Sequence, residues 1–146
     1  MKNRKKTDTI VIHCSDSGAF QDIGAEEIRH WHTMENGWED IGYHFVIRRD
    51  GSVELGREIE AIGAHAYGLN RYSIGICMVG GRGIDGKPQD NFSDKQYLSL
   101  AILIRGLNSK YPGIRSVIGH GDVRGCDKTC PNFSVTEFLA KEGISV

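Results

Sequence analysis

The stretch IGICMV, residues 74–79, is an uninterrupted apolar run that ends at a pair of glycines. A short apolar run of this kind is typical of a strand buried on both faces, as at the centre of a parallel sheet. Cys77 lies inside the run and is predicted to be an ordinary core residue, because free cysteine packs as a small hydrophobe. The fold is therefore expected to be organised around this strand.

Further strands are predicted on both sides of the apolar run. They are indicated by β-branched and apolar segments at residues 9–13, 43–49, 52–54 and 116–119. The dipeptide Asp50-Gly51 separates two of them and marks a hairpin, since it favours the tight turn between antiparallel strands. The last of these strands leads directly into His120.

Helical segments alternate with the strands, at residues 25–35, from 93 to about 110, and from 134 onward. Ser93 with Gln96, and Ser134 with Glu137, have the spacing of capping boxes, which satisfy the free N–H groups at a helix start. In the second helix the apolar residues that recur at helical spacing are Leu98, Ile102 and Leu103. Strands that alternate with helices, together with one hairpin, predict an α/β fold: a single domain with a mixed central β-sheet flanked by α-helices.

Length and charge narrow the class of protein. The chain has 146 residues, which suits one domain, and its net charge of −1 supplies no basic field, so no nucleic-acid partner is expected. Residues 1–8 are predicted to be a basic, solvated tail, and residues 9–146 the domain. The tail resembles the start of a signal peptide, but no apolar segment of roughly 7–15 residues follows it. A cytoplasmic protein without membrane insertion is therefore expected.

Three residues that can bind a metal lie at or after predicted strand ends: His13, His120 and Cys130. A catalytic zinc commonly has three protein ligands and one open position, and two imidazoles with one thiolate meet that need. The two histidines are far apart in sequence, however, and a histidine at a strand end is more often an ordinary hydrogen-bonded residue. The residues alone leave both interpretations open.

Alternation along extended chain predicts which neighbours share a face. If His13 faces the site, Cys14 points to the other side and packs, whereas Lys128 and Cys130 project together. A lysine beside a thiolate ligand would stabilise negative charge on an attacked carbonyl. Tyr43 is a second candidate donor, with an ordinary amphipathic strand residue as the alternative.

Several ordered motifs together resemble the type 2 N-acetylmuramoyl-L-alanine amidases, a family that includes the peptidoglycan recognition proteins. The motifs lie at residues 11–15, 28–32, 42–47, 49–51, 63–66, 70–76, 119–120 and 128–133. The resemblance implies one catalytic Zn²⁺ bound by His13, His120 and Cys130, with Tyr43 and Lys128 as catalytic residues. It also implies that two residues line the substrate cleft, His65 and Asn70, for which loop-stabilising hydrogen bonds are the alternative.

The activity that this resemblance implies is zinc-dependent hydrolysis of the amide between the muramic acid lactyl group and L-alanine in bacterial peptidoglycan. A monomeric phage or prophage endolysin is expected, which reaches the cell wall after release through the inner membrane. A cytoplasmic wall-recycling amidase and a non-catalytic peptidoglycan-binding module are the alternatives. Family members that only bind have typically lost the cysteine ligand, which is present here as Cys130.

One departure from the family concerns the segment between His120 and Cys130, which is longer and contains an additional cysteine, Cys126. Cys126 could complete a closed four-ligand structural zinc site or pair with Cys130 in a disulfide. His44 is assigned a structural role, because it should point away from Tyr43 on the same strand. His30 and His32 lie on the predicted helix and are left out of the site.

Overall fold

The computed structural model describes residues 1–146, and its five strands form one mixed sheet. The strands are β1 (Thr9–Cys14), β2 (Phe45–Ile47), β3 (Val53–Leu55), β4 (Ser73–Met78) and β5 (Ser116–Gly119). Their order is β3-β2-β4-β1-β5, and only β3 runs antiparallel to its neighbour. The predicted fold class is confirmed, and the apolar run at residues 74–79 supplies the central strand.

The register of the parallel strands places two histidines side by side. In β1 and β5, Ile12 pairs with Gly119. The next residues along the two strands are His13 and His120, whose ring centroids are 4.5 Å apart. Both rings therefore lie at the carboxyl edge of the sheet, which is where α/β folds usually bind ligands.

Three α-helices cover the two faces of the sheet: α1 (Ala25–His30), which continues as a π-helix (Trp31–Glu35), α2 (Asp94–Lys110) and α3 (Val135–Glu142). The α2 capping box is confirmed, with the Gln96 amide N–H donating to Ser93 Oγ at 3.2 Å and the Ser93 N–H donating to Gln96 Oε1 at 2.9 Å. At α3 only half of the predicted capping box forms: the Glu137 backbone N–H donates to Ser134 Oγ at 3.1 Å, without the reciprocal bond from the Ser134 N–H. A cap of this kind stabilises a helix by about 1 kcal/mol.

Strand alternation divides the core in two. One cluster contains Ile10, Ile12, Ile74 and Ile76 and packs against α2 and α3, while the other contains Val46 and packs against α1. Cys77 belongs to the second cluster and is fully buried, as predicted.

The buried face of α2 differs from the prediction. Leu98 and Ile102 are each 61% exposed. The residues that enter the core are Gln96, Leu100, Ala101, Ile104 and Leu107. The helix has apolar residues on more than one face, so helical spacing alone did not identify the face that meets the sheet.

The basic N-terminal segment is not simply a solvated tail. Arg4 is only 8% exposed, and its Nη1 donates to the carbonyl oxygens of Ile59 at 2.6 Å and Ala61 at 2.8 Å. Its backbone N–H also donates to Glu60 O at 2.7 Å. The prediction is wrong for this residue because the guanidinium satisfies carbonyls of a loop that the sequence did not connect to it. No helix in the structure has the length and apolar character needed to cross a membrane.

Candidate active site

A cleft of about 640 Å³ opens at the carboxyl edge of the sheet. Six of the seven residues predicted for the site line it, namely His13, His120, Cys130, Tyr43, Lys128 and His65. Asn70 is not among the lining residues. The strand ends and the loop after β5 thus bring together side chains that are up to 117 positions apart (130 − 13) in the sequence.

The three predicted metal ligands form one donor group. One ligand atom from each of His13, His120 and Cys130 lies within 4.8 Å of the other two. Two imidazole nitrogens and a thiol sulfur at this spacing are a donor set suited to Zn²⁺, which binds nitrogen and sulfur ligands in tetrahedral sites. Cys126 is outside this group, and all four cysteines are free. The arrangement therefore has three donors, as in a catalytic site, rather than four.

His13 is the buried member of the group, with 1% of its surface exposed. Its Nε2 is 2.9 Å from His65 Nδ1. Burial, and then the neighbouring His65, His120 and Lys128, lower the pKa of His13 well below its usual value. Burial and Lys128 likewise lower the pKa of His120. Both rings are therefore neutral near pH 7, the form that binds a metal ion.

Cys130 approaches from the loop that follows β5. Its Sγ accepts a hydrogen bond from the Cys14 backbone N–H at 3.0 Å, and its carbonyl accepts one from the Gly121 N–H at 2.7 Å. Asn132 ties the same segment to Gly81, with Nδ2 donating to the carbonyl oxygen at 2.8 Å. The neighbouring Cys14 thiol and burial raise the pKa of the Cys130 thiol. A bound cation acts in the opposite direction, because it stabilises the thiolate.

Cys14 packs as predicted, with 6% of its surface exposed. Its surroundings are nevertheless those of the cleft rather than of the core clusters. Its Sγ is 3.9 Å from Asn132 Nδ2, and the residue lines the cleft beside Cys130. Strand alternation predicts that Cys14 and His13 point to opposite faces of the sheet. It does not predict that the loop after β5 packs against Cys14 and makes it part of the cleft lining.

Tyr43 and Lys128 are 85 positions apart (128 − 43) in the sequence, yet both line the cleft. The Tyr43 ring centroid is 5.0 Å from that of His13. Burial, followed by the nearby cysteine thiols, raises the pKa of Tyr43 well above its usual value, so its hydroxyl keeps its proton. Lys128 is exposed at the mouth of the cleft. The site therefore pairs a half-buried neutral donor with an exposed lysine.

His65 and Asn70 make hydrogen bonds within the protein. The Asn70 Oδ1 accepts from the backbone N–H groups of His65 at 2.8 Å and Ala66 at 2.9 Å. Both ring nitrogens of His65 have protein neighbours, His13 Nε2 at 2.9 Å and Ser73 Oγ at 3.2 Å. This geometry favours the loop-stabilising role for Asn70 and leaves substrate contact by His65 as a prediction.

The structure also places a histidine in the cleft that the sequence analysis set aside. His32 lies in the lining, with its ring centroid 4.7 Å from that of Trp38 and 5.5 Å from that of Tyr43. Its Nδ1 accepts from the Gly42 N–H at 2.9 Å. Its position in a helix carried no signal, because the side that meets the cleft depends on how α1 and its π-helical extension dock. His44, by contrast, is buried and structural as predicted.

A polar cleft with a two-histidine, one-cysteine donor group at the carboxyl edge of a mixed sheet defines this protein as a candidate metal-dependent hydrolase. A profile of the N-acetylmuramoyl-L-alanine amidase family, Amidase_2, matches residues 3–133. The chain belongs to the N-acetylmuramoyl-L-alanine amidase family, and it is an enzyme of that class.

Individual relatives agree with the family assignment. The endolysin of Escherichia phage T7 is 45% identical over 140 residues, which cover 96% of this chain and 90% of that protein. The endolysin of Klebsiella phage KP32 is 44% identical over 138 residues, covering 94% and 89%. The solved structure of the N-acetylmuramoyl-L-alanine amidase LysC from Clostridium intestinale superposes with a TM-score of 0.79 at 33% identity, covering 96% and 87%. The predicted resemblance to phage amidases is confirmed.

Proposed function

We propose that this amidase is a phage or prophage endolysin that uses one Zn²⁺, bound by His13, His120 and Cys130, to hydrolyse the lactyl-L-alanine amide of peptidoglycan. The observation that carries the proposal is the convergence of these three donors within 4.8 Å of one another. Tyr43 and Lys128 line the same cleft.

The donor set fits a catalytic zinc for two reasons. Two neutral imidazoles and one thiolate leave about one net positive charge on the ion, and three protein ligands leave a coordination position open. The three donor side chains line an open cleft, so solvent and a substrate could reach an ion bound there. When bound, Zn²⁺ would acidify a water and polarise a carbonyl.

The remaining chemistry is assigned to the chain's own side chains. The Lys128 ammonium would stabilise the negative charge that develops on the oxygen of the attacked carbonyl, as fixed cations do in oxyanion sites. The Tyr43 hydroxyl, which keeps its proton, would donate a hydrogen bond to the reacting groups. His65 lines the same cleft.

Two features support an endolysin rather than a recycling enzyme. The endolysins of the T7 and KP32 phages match nearly the whole chain. The cleft is open at the surface, which leaves room for a strand of whole murein. We place the protein in the cytoplasm as a monomer until a partner opens the inner membrane.

The test is digestion of purified peptidoglycan by native, metal-stripped and zinc-restored protein, with mass analysis of the products. Free peptides that begin at L-alanine should appear, disappear on stripping and return with zinc. Folded, zinc-loaded protein that releases no peptide would instead indicate a peptidoglycan-binding module. Clearing of outer-membrane-permeabilised cells, compared with turnover of soluble muropeptides, separates the lytic role from the recycling role.

A further inference from the structure

The His65 ring packs directly against the backbone of two glycines, Gly63 and Gly75. A Cβ added at Gly75 would lie 2.6 Å from His65 Cγ, and one added at Gly63 would lie 2.7 Å from His65 Cδ2. Real Cβ atoms do not approach other atoms this closely, so both positions must lack a side chain for the ring to lie where it does. The backbone of His65 is held in addition by Asn70 Oδ1, at 2.8 Å from its N–H.

The hydrogen bonds around this ring have a defined direction. Ser73 Oγ is 2.8 Å from the Leu69 carbonyl oxygen, which can only accept, so the single hydroxyl proton of Ser73 is committed to that bond. Ser73 Oγ must then accept from His65 Nε2, 3.2 Å away. His65 therefore carries its proton on Nε2, and in the neutral imidazole Nδ1 is an acceptor.

The direction of these hydrogen bonds also fixes the proton position on His13, one of the proposed metal ligands. His13 Nε2 lies 2.9 Å from His65 Nδ1 and must donate to it. The proton of His13 is thus on Nε2, and the lone pair of Nδ1 is left for a metal ion. His13 contributes one nitrogen to the donor group, so its tautomer decides which nitrogen that is.

We propose that His65 and Ser73 are positioning residues that fix His13 as the Nε2–H tautomer, so that it binds the metal ion through Nδ1. The inference rests on the proposed metal ligands and deepens that assignment. It gives His65 a role behind the ligand instead of one in substrate contact, and it explains why Asn70 holds the backbone of His65. Outer partners of this kind orient ligand histidines and change metal affinity by about 10–100-fold when they are removed.

The first experiment measures the zinc dissociation constant by chelator competition. His65→Ala should weaken binding by about 10–100-fold. His65→Asn should recover much of that loss, because its side-chain oxygen can accept from His13 Nε2 in place of Nδ1. Ser73→Ala should have a smaller effect in the same direction. His30→Ala is the matched control, since this exposed histidine lies outside the site, and it should bind zinc as the native protein does.

The second experiment reads the tautomer directly in the native, zinc-loaded protein. Long-range ¹H–¹⁵N correlation spectra should show His13 with a protonated Nε2 and a metal-bound Nδ1. A metal-bound Nε2, or native zinc affinity in folded His65→Ala protein, would overturn the inference. If His65→Ala fails to fold, the zinc affinity of Ser73→Ala and the His13 tautomer in the spectra of the native protein still test the inference. Native protein that binds no zinc at all would overturn the proposed metal site itself, which is a different outcome.

Discussion

The two halves of the proposed metal-binding group, His13 on one side and His120 with Cys130 on the other, are built in different ways. On the strand side, His13 is only 1% exposed. It belongs to the six-residue strand β1, which pairs with β4 and β5. On the loop side, His120 and Cys130 are half-buried, and the segment between them contains only one short 3₁₀ turn. The ring of His13 is hydrogen-bonded, whereas the ring of His120 makes no hydrogen bond to another side chain.

This difference shows how one site can hold a side chain in a fixed position on one side and remain open to substrate on the other. The strand side is positioned by the sheet and by buried hydrogen bonds, which do not depend on a metal ion. The loop side closes over the cleft through a few contacts, such as those of Gly121 and Asn132. We expect the metal ion to order the loop side more than the strand side, because metal binding stabilises segments whose ligands it connects.

Removal of the loop-side thiolate should have the largest effect. Cys130→Ser should weaken zinc binding by more than about 100-fold, since even outer partners of zinc ligands account for about 10–100-fold. Cys126→Ser is the matched control in the same loop and should keep zinc, because Cys126 is outside the donor group. For both variants, the measurements are the zinc content after dialysis and the rate of peptidoglycan turnover. Loss of metal and unfolding in Cys126→Ser would instead support the four-ligand structural zinc site that includes Cys126.

Lys128 should affect chemistry without affecting the metal. Lys128→Ala should lower kcat by about 10²–10³-fold, the usual effect of removing one group that stabilises an oxyanion. Zinc content should be unchanged. Arg124→Ala removes another exposed cation from the same loop and is the control for general charge. Full activity in zinc-loaded Lys128→Ala would exclude this lysine from the reaction.

Acid should destabilise the metal-free protein through the buried imidazole of His44. Burial lowers the pKa of His44 to about 4, so the unfolded chain binds more protons than the folded one below about pH 6.5. Stability should therefore decrease as the pH falls from about 6.5 to about 4, by about 3 kcal/mol from this residue. Urea denaturation of metal-free protein from pH 7 to pH 4 measures the effect. The decrease should be shallower in His44→Gln, and an unchanged slope would contradict the assignment.

The Asn132 contact should have the smallest effect and tests the loop side alone. Asn132 has a φ of +71°, so Asn132→Gly removes its side-chain hydrogen bonds without backbone strain. Loss of the bond to Gly81 should cost about 1 kcal/mol and weaken zinc binding by roughly fivefold. Asn132→Ala adds strain at positive φ and should be less stable than the glycine variant. Identical zinc affinity in all three proteins would show that this contact does not order the loop.

Much of the fold was predictable because local rules and tertiary packing agree there. The apolar run around Cys77, the hairpin at Asp50-Gly51 and the cap at Ser93 each depend on near neighbours in the chain. The buried face of α2 was not predictable, because several of its faces are apolar and only contact with the sheet selects Leu100 over Leu98. The buried Arg4 escaped prediction for a similar reason, since its partners are carbonyl groups more than 50 residues away.

The sequence by itself determined the elements, the candidate ligands and, through motif resemblance, the family of this protein. Tertiary structure alone decided that His13, His120 and Cys130 converge, that Cys126 does not join them, and that His65 faces His13. The physical reason is that side-chain chemistry is local and can be read from residue types. Distances and hydrogen-bond directions, in contrast, depend on the register of strands and the docking of loops that lie far apart in the chain.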